Sequence, residues 1–307
     1  MTTYHLEPDD RTLHGFFSRD LEPALTIDPG DTVSFRTLDA EWGLEPATTF
    51  TPGEPAPRLY ATPAIPGPQG HAMTGPVAIR GAVPGDTLAV RIDSLRTGAW
   101  GFTWAGHSPL AEGEVLHRWT LDPDQLRGVS HLGHRVALRP FMGVMGVAPA
   151  EPGQHSTTPP RITGGNLDCK ELVAGSTLYL PVAVPGAIFS VGDGHAVQGD
   201  GEVSRTAIEC PMDDVTLTFS LRPGQRLAAP RAETPAGWLT FGFDADLNAA
   251  TQQALAGMLD LLSEQFGVAR IDALALASLV VDLRITQIVN QVCGVHAVLP
   301  HGALQVD

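Results

Sequence analysis

Lysine is nearly missing from this sequence of 307 residues. Lys170 is the only one, so 18 of the 19 basic residues are arginine. Two common hydrolytic mechanisms need a lysine, either in a Ser–Ser–Lys relay within a Gly/Ser-rich run or in a Glu–Lys–Cys set. No Gly/Ser-rich run follows Lys170, which argues against both mechanisms. A Gly-x-Ser-x-Gly elbow, a phosphate loop and a dinucleotide-binding fingerprint are also missing.

Positive charge, long apolar runs and paired cysteines are equally scarce. The 19 basic and 34 acidic residues give a net charge of −15, so we expect neither nucleic acid nor a membrane surface as partner. No run reaches the roughly 18 apolar residues of a membrane span. The first ten residues are polar and acidic, unlike a secretion signal. Cys169, Cys210 and Cys293 show no CxxC spacing, which favours a cytoplasmic protein.

Glycine and proline are abundant instead, at 33 and 26 residues. Such frequent turn residues favour short strands joined by tight turns. Residues 25–35 and 78–92 both place Pro-Gly-Asp before an alternating strand pattern, and residues 173–182 form a looser copy. Pro-Gly fits the central positions of a type II turn. The repeats therefore predict a mainly β protein, a sandwich or a barrel.

The sequence pattern changes after about residue 244, where apolar residues begin to recur at helical spacing. The predicted elements are helices at about 244–267 and 271–281, followed by strands at 282–290 and 292–299. We therefore divide the chain into a β-rich region, residues 1–225, and an α+β region, residues 226–307. The β-rich region carries the candidate site described next.

The densest polar cluster is the segment 191–203, which contains four glycines. Its polar candidates are Asp193, His195, Gln198, Asp200 and Glu202. Glycines let the backbone approach a ligand, and Asp, His and Glu are metal ligands. The segment is not an EF-hand, because counting from Asp193 puts valine at position 5 and serine at position 12. A Gly/Asp-rich turn with a solvated histidine is the alternative.

Four further candidates lie at predicted strand ends. These are His14, Asp39, His71 and Asp168. Asp168 follows a Gly-Gly-Asn turn, and His71 precedes the Gly-Pro entry to a strand. Each taken alone is explained by a structural role at a turn. Together they indicate loops that converge at one end of a β-scaffold, where three protein ligands and a water form a zinc hydrolase site.

The order and spacing of these segments resemble the acetamidase/formamidase family over nearly the whole chain. The matching stretches are 14–31, 71–86, 143–149, 164–168, 174–182, 192–202, 207–209 and 282–294. The most specific are Gly-Gly-Asn-Leu-Asp at 164–168 and Gly-Asp-Gly-His-Ala-Val-Gln-Gly-Asp-Gly-Glu at 192–202. The resemblance implies a β-sandwich with a small β-barrel-like region and a C-terminal α/β lobe. It also implies hydrolysis of a short aliphatic amide to carboxylate and ammonia, zinc with calcium as a candidate second ion, and a homodimer.

Carried over residue by residue, the resemblance also implies a site. Its members are His71, Asp168 and His195, with Asp193 and Glu202 close by and His14 and Asp39 as further candidates. As a mechanistic hypothesis, His71, Asp168, Asp193 and His195 hold the metal and Glu202 transfers the proton. Asn166, or backbone N–H groups of its glycine turn, stabilises the oxyanion. Thr163 and Phe16-Phe17 depart from the family pattern, where relatives often carry histidine and tryptophan. Two alternatives stay open: a non-catalytic β-sandwich that binds a small molecule or metal, and a metal hydrolase of another C–N bond such as a cyclic imide.

Overall fold

The computed structural model describes residues 1–43, 70–106 and 108–305. The first eleven strands are β1 (Thr3–Leu6), β2 (Leu13–His14), β3 (Phe16–Phe17), β4 (Leu25–Ile27), β5 (Thr32–Thr37), β6 (Met73–Ile79), β7 (Thr87–Thr97), β8 (Trp100–Ala105), β9 (Val115–Asp122), β10 (Arg127–Ser130) and β11 (Arg135–Ala137). The next eight are β12 (Phe141–Val147), β13 (His155–Ser156), β14 (Gly164–Asn166), β15 (Thr177–Pro181), β16 (Phe189–His195), β17 (Met212–Arg222), β18 (Arg231–Thr234) and β19 (Gly237–Asp244). The chain continues with α1 (Leu247–Phe266), α2 (Arg270–Val280), β20 (Asp282–Asn290) and β21 (Val292–Pro300).

Two large sheets carry most of these strands. One has nine strands in the order β1-β5-β17-β7-β15-β18-β19-β21-β20. The other has six strands. Five of them lie side by side in the order β14-β12-β16-β6-β2, and β4 also pairs with β6. A four-stranded sheet, β11-β10-β9-β8, and the pair β13-β3 complete the topology. Because β15 pairs with β18, the nine-stranded sheet continues across the predicted boundary at residue 225, and the division there stays a prediction.

The main core lies between the two large sheets. Strands β5 and β17 alternate buried and more exposed side chains, as strands with one covered face do, whereas β6, β12 and β16 are buried along their whole length. The ring of Phe189 from the six-stranded sheet lies 5.1 Å from that of Phe219 and 6.4 Å from that of Phe35, both in the nine-stranded sheet. The two sheets are therefore packed face to face as a sandwich.

The repeated Pro-Gly-Asp segments form the expected turns. Gly30 and Gly85 have φ of 99° and 97°, values that glycine adopts without steric cost. The backbone N–H of Asp31 donates to Asp28 O over 3.0 Å, which closes the first turn. The carboxylate of the same Asp31 accepts the N–H of Asp28 over 3.1 Å. The motif thus supplies both the turn conformation and the group that holds it.

The C-terminal region follows the helical prediction closely. Helix α1 begins after Asp246, whose side chain accepts the Ala249 N–H over 2.9 Å, and ends at Gly267 with φ 66°. Its buried face includes Met258 and Leu262 and packs against β19 and β21. The predicted strand at 282–290 has the observed bounds of β20.

The predicted fold class, mainly β with a C-terminal α+β part, is confirmed. Within the described ranges no sheet closes into a barrel, so the small barrel-like region is not found as a closed barrel. Neither helix in these ranges has the length and apolar content needed to cross a membrane.

Candidate active site

Strand β12 brings the two sharpest sequence motifs together. It lies between β14 and β16, so that Val144 pairs with Asn166 on one side and Gly192 on the other. The Gly-Gly-Asn-Leu-Asp segment and the Gly-Asp-Gly-His segment consequently end side by side. The carboxylate of Asp168 and the side chains at the end of β16 therefore meet although they are far apart in sequence.

The result is a buried cluster of four carboxylates and one imidazole. Its members are Asp168, Asp193, His195, Glu202 and Glu209. His195 Nε2 lies 3.3 Å from Asp193 Oδ1 and 3.2 Å from Glu209 Oε2. Donor atoms of Asp168, Asp193 and His195 lie within 4.8 Å of one another, and so do those of His195, Glu202 and Glu209. Hereafter these five residues are called the acidic cluster.

Three members of the acidic cluster have an unusual backbone. Asp168, Asp193 and Glu202 have φ of 49°, 60° and 47°, in the left-handed region that non-glycine residues rarely occupy. Conformations of this kind cost on the order of 1–3 kcal/mol each and concentrate at functional sites. The fold thus tolerates local strain at three residues in order to point their carboxylates inward.

Gly143 on β12 supplies the space into which the acidic cluster projects. A Cβ atom at this position would overlap Asp193 Oδ2 and lie 2.9 Å from both Asp168 Oδ1 and His195 Cε1. Gly143 O also accepts the backbone N–H of Asp168 over 3.2 Å. The missing side chain is therefore what allows three candidate ligands to share one small volume.

Two residues beside these carboxylates were not among the candidates from the sequence: Glu209, a member of the acidic cluster, and Asn290, which donates hydrogen bonds to two other members. Glu209 lies between β16 and β8, opposite His195 and Phe102. Asn290, at the end of β20, donates through Nδ2 to Asp168 Oδ2 over 2.6 Å and to Glu202 Oε2 over 3.4 Å. Glu209 and Asn290 fall in stretches that match the family pattern, 207–209 and 282–294. In the sequence, only this family match points to Glu209 and Asn290, because neither residue lies in a local motif of its own.

Burial dominates the electrostatics of the acidic cluster. It raises the pKa of Asp168 well above its ordinary value, that of Glu202 to about 7 and that of Glu209 to about 8. Burial also opposes the charge on His195, but the Glu209 and Asp193 carboxylates outweigh it and raise the pKa of this imidazole. For Asp193, burial is outweighed by His195 and His71, and its pKa falls.

These shifts have a common cause, because four carboxylates cannot all be ionised in a small dry volume without compensating positive charge. His195 supplies one such charge at most. Carboxylate oxygens with one imidazole nitrogen are ligands for a divalent cation, and Glu209 Oε2 is buried without a hydrogen-bond partner. The residues present therefore fit a bound metal ion.

A cavity of about 260 Å³ opens onto the acidic cluster. Its polar side includes His71, Asn166, Asp193, Glu202, Glu209 and Asn290. Its apolar side is formed by Phe102 and Trp104 of β8 and Leu116 of β9, so the small four-stranded sheet covers the site. The cavity therefore joins charged groups to an apolar wall within the space of a small molecule.

The candidate site residues from the sequence fall into three groups: members of the acidic cluster, residues that line the cavity, and residues that do neither. Asp168, Asp193, His195 and Glu202 lie in the acidic cluster. His71 lines the cavity, with Nδ1 2.9 Å from Thr157 Oγ1, but does not belong to the groups of donor atoms that lie within 4.8 Å of one another.

Asn166 also lines the cavity, and its amide has a defined orientation. Nδ2 donates to Thr158 O over 3.0 Å, while Oδ1 is buried without a hydrogen-bond partner. The acceptor end of this amide is therefore the end without a protein partner.

The remaining two candidates, His14 and Asp39, do not belong to the acidic cluster. His14 is buried with Nδ1 2.9 Å from Phe16 O and Nε2 3.0 Å from Ser190 Oγ, so both ring nitrogens have partners. Asp39 accepts the backbone N–H of Glu41 over 2.9 Å and belongs to none of the candidate donor groups of the described residues. Neither residue is therefore placed among the donor atoms of the acidic cluster.

Comparison with known proteins supports the resemblance found in the sequence. The sequence profile of the Acetamidase/Formamidase family matches residues 2–156 and 150–304. The chain belongs to the acetamidase/formamidase family. It is 27% identical over 195 residues to the formamidase of Methylophilus methylotrophus, an alignment that covers 44% of this chain and 48% of that protein. The curated relatives matched are covered over 60% or less of their own length.

Solved structures of acetamidases match over nearly the full chain. The acetamidase of Yersinia enterocolitica superposes with a TM-score of 0.85 at 29% identity, covering 99% of this chain and 93% of that one. The acetamidase of Bacillus halodurans gives 0.84 at 28% identity, covering 96% and 97%. The family resemblance seen in the sequence is thus confirmed in both sequence and fold.

The substitution Gly143→Ala tests whether the acidic cluster holds a metal. Its Cβ would displace the Asp168 and Asp193 carboxylates, so we expect roughly 10–100-fold weaker Zn²⁺ binding, the range seen when groups that orient metal ligands are altered. Titration calorimetry with Zn²⁺ measures this. Gly199→Ala is the matched control, because a Cβ there meets nothing within 4 Å. Unchanged Zn²⁺ affinity in Gly143→Ala would contradict the site.

The structural role of His14 predicts acid sensitivity. Burial lowers the pKa of His14 from 6.5 to about 4, so between these values the unfolded chain binds a proton that the folded chain does not. Stability is therefore lost as pH falls through this window, by about 2 kcal/mol between pH 6.5 and 5. Urea unfolding of His14→Gln should lack this part of the pH dependence, and the exposed control His5→Gln should retain it. Identical profiles for all three proteins would exclude the role.

Proposed function

We propose that this protein hydrolyses a short aliphatic amide to a carboxylate and ammonia. The observation that carries the proposal is the acidic cluster at the end of a small cavity, in a chain of the acetamidase/formamidase family. An amide carbonyl is a poor electrophile, so hydrolysis near neutral pH needs both polarisation of the carbonyl and an activated water. The cluster brings together groups suited to both tasks.

Asp168, Asp193 and His195 would hold a divalent metal ion, with Glu209 beside His195 and His71 at the cavity wall. A cation bound by such ligands polarises a carbonyl oxygen and lowers the pKa of water. Gly143 leaves room for the ligands, and Asn290 orients the Asp168 carboxylate through the 2.6 Å hydrogen bond. We take zinc as the metal, because imidazole with carboxylates is a common zinc set.

Glu202 would move the proton. Its carboxyl lines the cavity, is buried, and receives one hydrogen bond of 3.4 Å from Asn290. In this position it takes a proton from water and delivers it to the departing nitrogen, as a general base and then a general acid. The left-handed backbone at Glu202 holds the carboxyl toward the cavity.

The orientation of Asn166 changes the role expected from the sequence. An oxyanion is stabilised by a donor, yet Asn166 Nδ2 already donates to Thr158 O and the partnerless atom is the acceptor Oδ1. We therefore propose that Asn166 accepts the N–H of the substrate amide and positions it. The apolar wall of Phe102, Trp104 and Leu116 would receive the acyl group and limit its length.

We also propose that the protein is a cytoplasmic homodimer. All three cysteines are free, as in a reducing compartment. Exposed apolar side chains gather on α2 and β20, including Ile271, Leu279 and Leu283, and a second copy of the chain would cover them.

Removal of metal tests the reaction class. Purified protein should contain zinc by elemental analysis and release ammonia from formamide or acetamide, and chelation should abolish that release until zinc is restored. Esters of the same acyl groups serve as the comparison for bond specificity. Ammonia release that survives complete metal removal would overturn the metal-dependent mechanism.

The substitution Glu202→Gln tests proton transfer. The amide has nearly the same shape but cannot take up the proton, so we expect kcat for ammonia release to fall roughly 10²–10⁴-fold while the zinc content is unchanged. Asp200→Asn is the matched control: it makes the same kind of change two residues away, on a side chain paired with Lys170 outside the cavity. Turnover close to that of the unmodified protein would remove Glu202 from the mechanism.

A further inference from the structure

A second group of buried ligand-type side chains lies outside the cavity. It consists of Cys169, Glu171 and His296. Cys169 directly follows Asp168 in the chain, whereas His296 lies on β21 at the other end of the sequence. All three are buried, at 0%, 4% and 0% exposure, and none lines the cavity of the acidic cluster.

The three donor atoms lie within 4.8 Å of one another, and the two distances to Glu171 Oε2 match those around a tetrahedral zinc ion. Glu171 Oε2 lies 3.5 Å from Cys169 Sγ and 3.4 Å from His296 Nε2. Zinc binds sulfur, nitrogen and oxygen at about 2.0–2.3 Å, so tetrahedral angles place neighbouring ligand atoms roughly 3.3–3.7 Å apart. Both observed distances fall within that range.

The Cys169 thiol donates to Glu171 Oε2 over 3.5 Å, and a bound zinc ion would take the place of that proton, because metal binding releases the protons of its ligands. The other contacts of His296 and Glu171 leave their ligand atoms facing the cysteine. Thr286 Oγ1 lies 2.7 Å from His296 Nδ1 and occupies the far side of the ring, as the outer partner of a metal-bound histidine does. His296 Nε2 is buried with no hydrogen-bond partner and faces Glu171. Arg284 contacts the other carboxylate oxygen, Oε1, over 2.8 Å and leaves Oε2 toward the cysteine and histidine.

The donor set also selects the metal. Thiolate, imidazole and carboxylate together are ligands of zinc rather than of magnesium or calcium, which prefer oxygen alone. A thiolate and a carboxylate also balance the two positive charges of the ion.

We propose that Cys169, Glu171 and His296 bind a structural zinc ion, separate from the ion of the acidic cluster. Such an ion would tie the loop after β14 to strand β21. The same loop carries Asp168, and Asn290 in the hairpin β20–β21 already contacts Asp168 from the C-terminal side. Zinc would therefore fix the backbone next to a member of the acidic cluster without touching the cavity.

Cobalt substitution tests this proposal, because only a sulfur ligand gives an intense near-ultraviolet thiolate-to-cobalt absorption band. The acidic cluster contains no cysteine, so a band reports the second site alone. We expect the metal-free full-length protein to develop the band when titrated with Co²⁺, with one of the bound ions per chain responsible for it. Cys169→Ser should lose the band and one metal ion per chain, and Cys210→Ser and Cys293→Ser should keep both.

Several outcomes would overturn the site. These are a missing band in folded unmodified protein with saturating Co²⁺, or a band that survives in Cys169→Ser or disappears in Cys293→Ser. If Cys169→Ser does not fold, Glu171→Gln decides instead: it removes one charged ligand and should weaken or abolish the band, and a band and metal content equal to those of the unmodified protein would reject the proposal. None of these readouts depends on amide hydrolysis.

Discussion

Five titratable side chains buried together set the main constraint on this structure. Four carboxylates around one imidazole repel one another, and burial increases that repulsion because little water screens it. The folded chain relieves it with protons, as the raised pKa values of Glu202 and Glu209 indicate, or with a bound cation. A buried site that concentrates negative charge in this way favours the binding of protons or of a cation.

The sandwich provides the rigidity that this arrangement needs. Strands β6, β12 and β16 are buried along their whole length, so the strand ends that carry Asp193 and His195 have little freedom to move apart. Gly143 on the middle strand creates the space that the side chains fill. The nine-stranded sheet then adds Asn290 from the C-terminal hairpin, so residues from both large sheets contribute to one site.

The cavity wall comes from a third element, the small four-stranded sheet. Phe102 and Glu209 are paired through their backbones, with N···O distances of 2.9 and 2.8 Å, so the wall and the acidic cluster are attached to each other. A change in the wall is therefore also a change next to Glu209. The apolar wall and the acidic cluster are therefore mechanically linked through this pair of backbone hydrogen bonds.

The features that the sequence predicted correctly depend on interactions between residues close together in the chain. The Pro-Gly-Asp turns, the bounds of α1 and the strand at 282–290 depend on neighbouring residues, whose φ preferences and capping groups act over a few positions. The motifs around Asp168 and His195 could be recognised in the sequence by the glycines next to them. Only the tertiary structure places Glu209, Asn290 and Gly143 beside Asp168, Asp193 and His195, gives both ring nitrogens of His14 partners, and leaves Asn166 Oδ1 without one. These facts depend on strand pairing between distant segments, which no local pattern encodes.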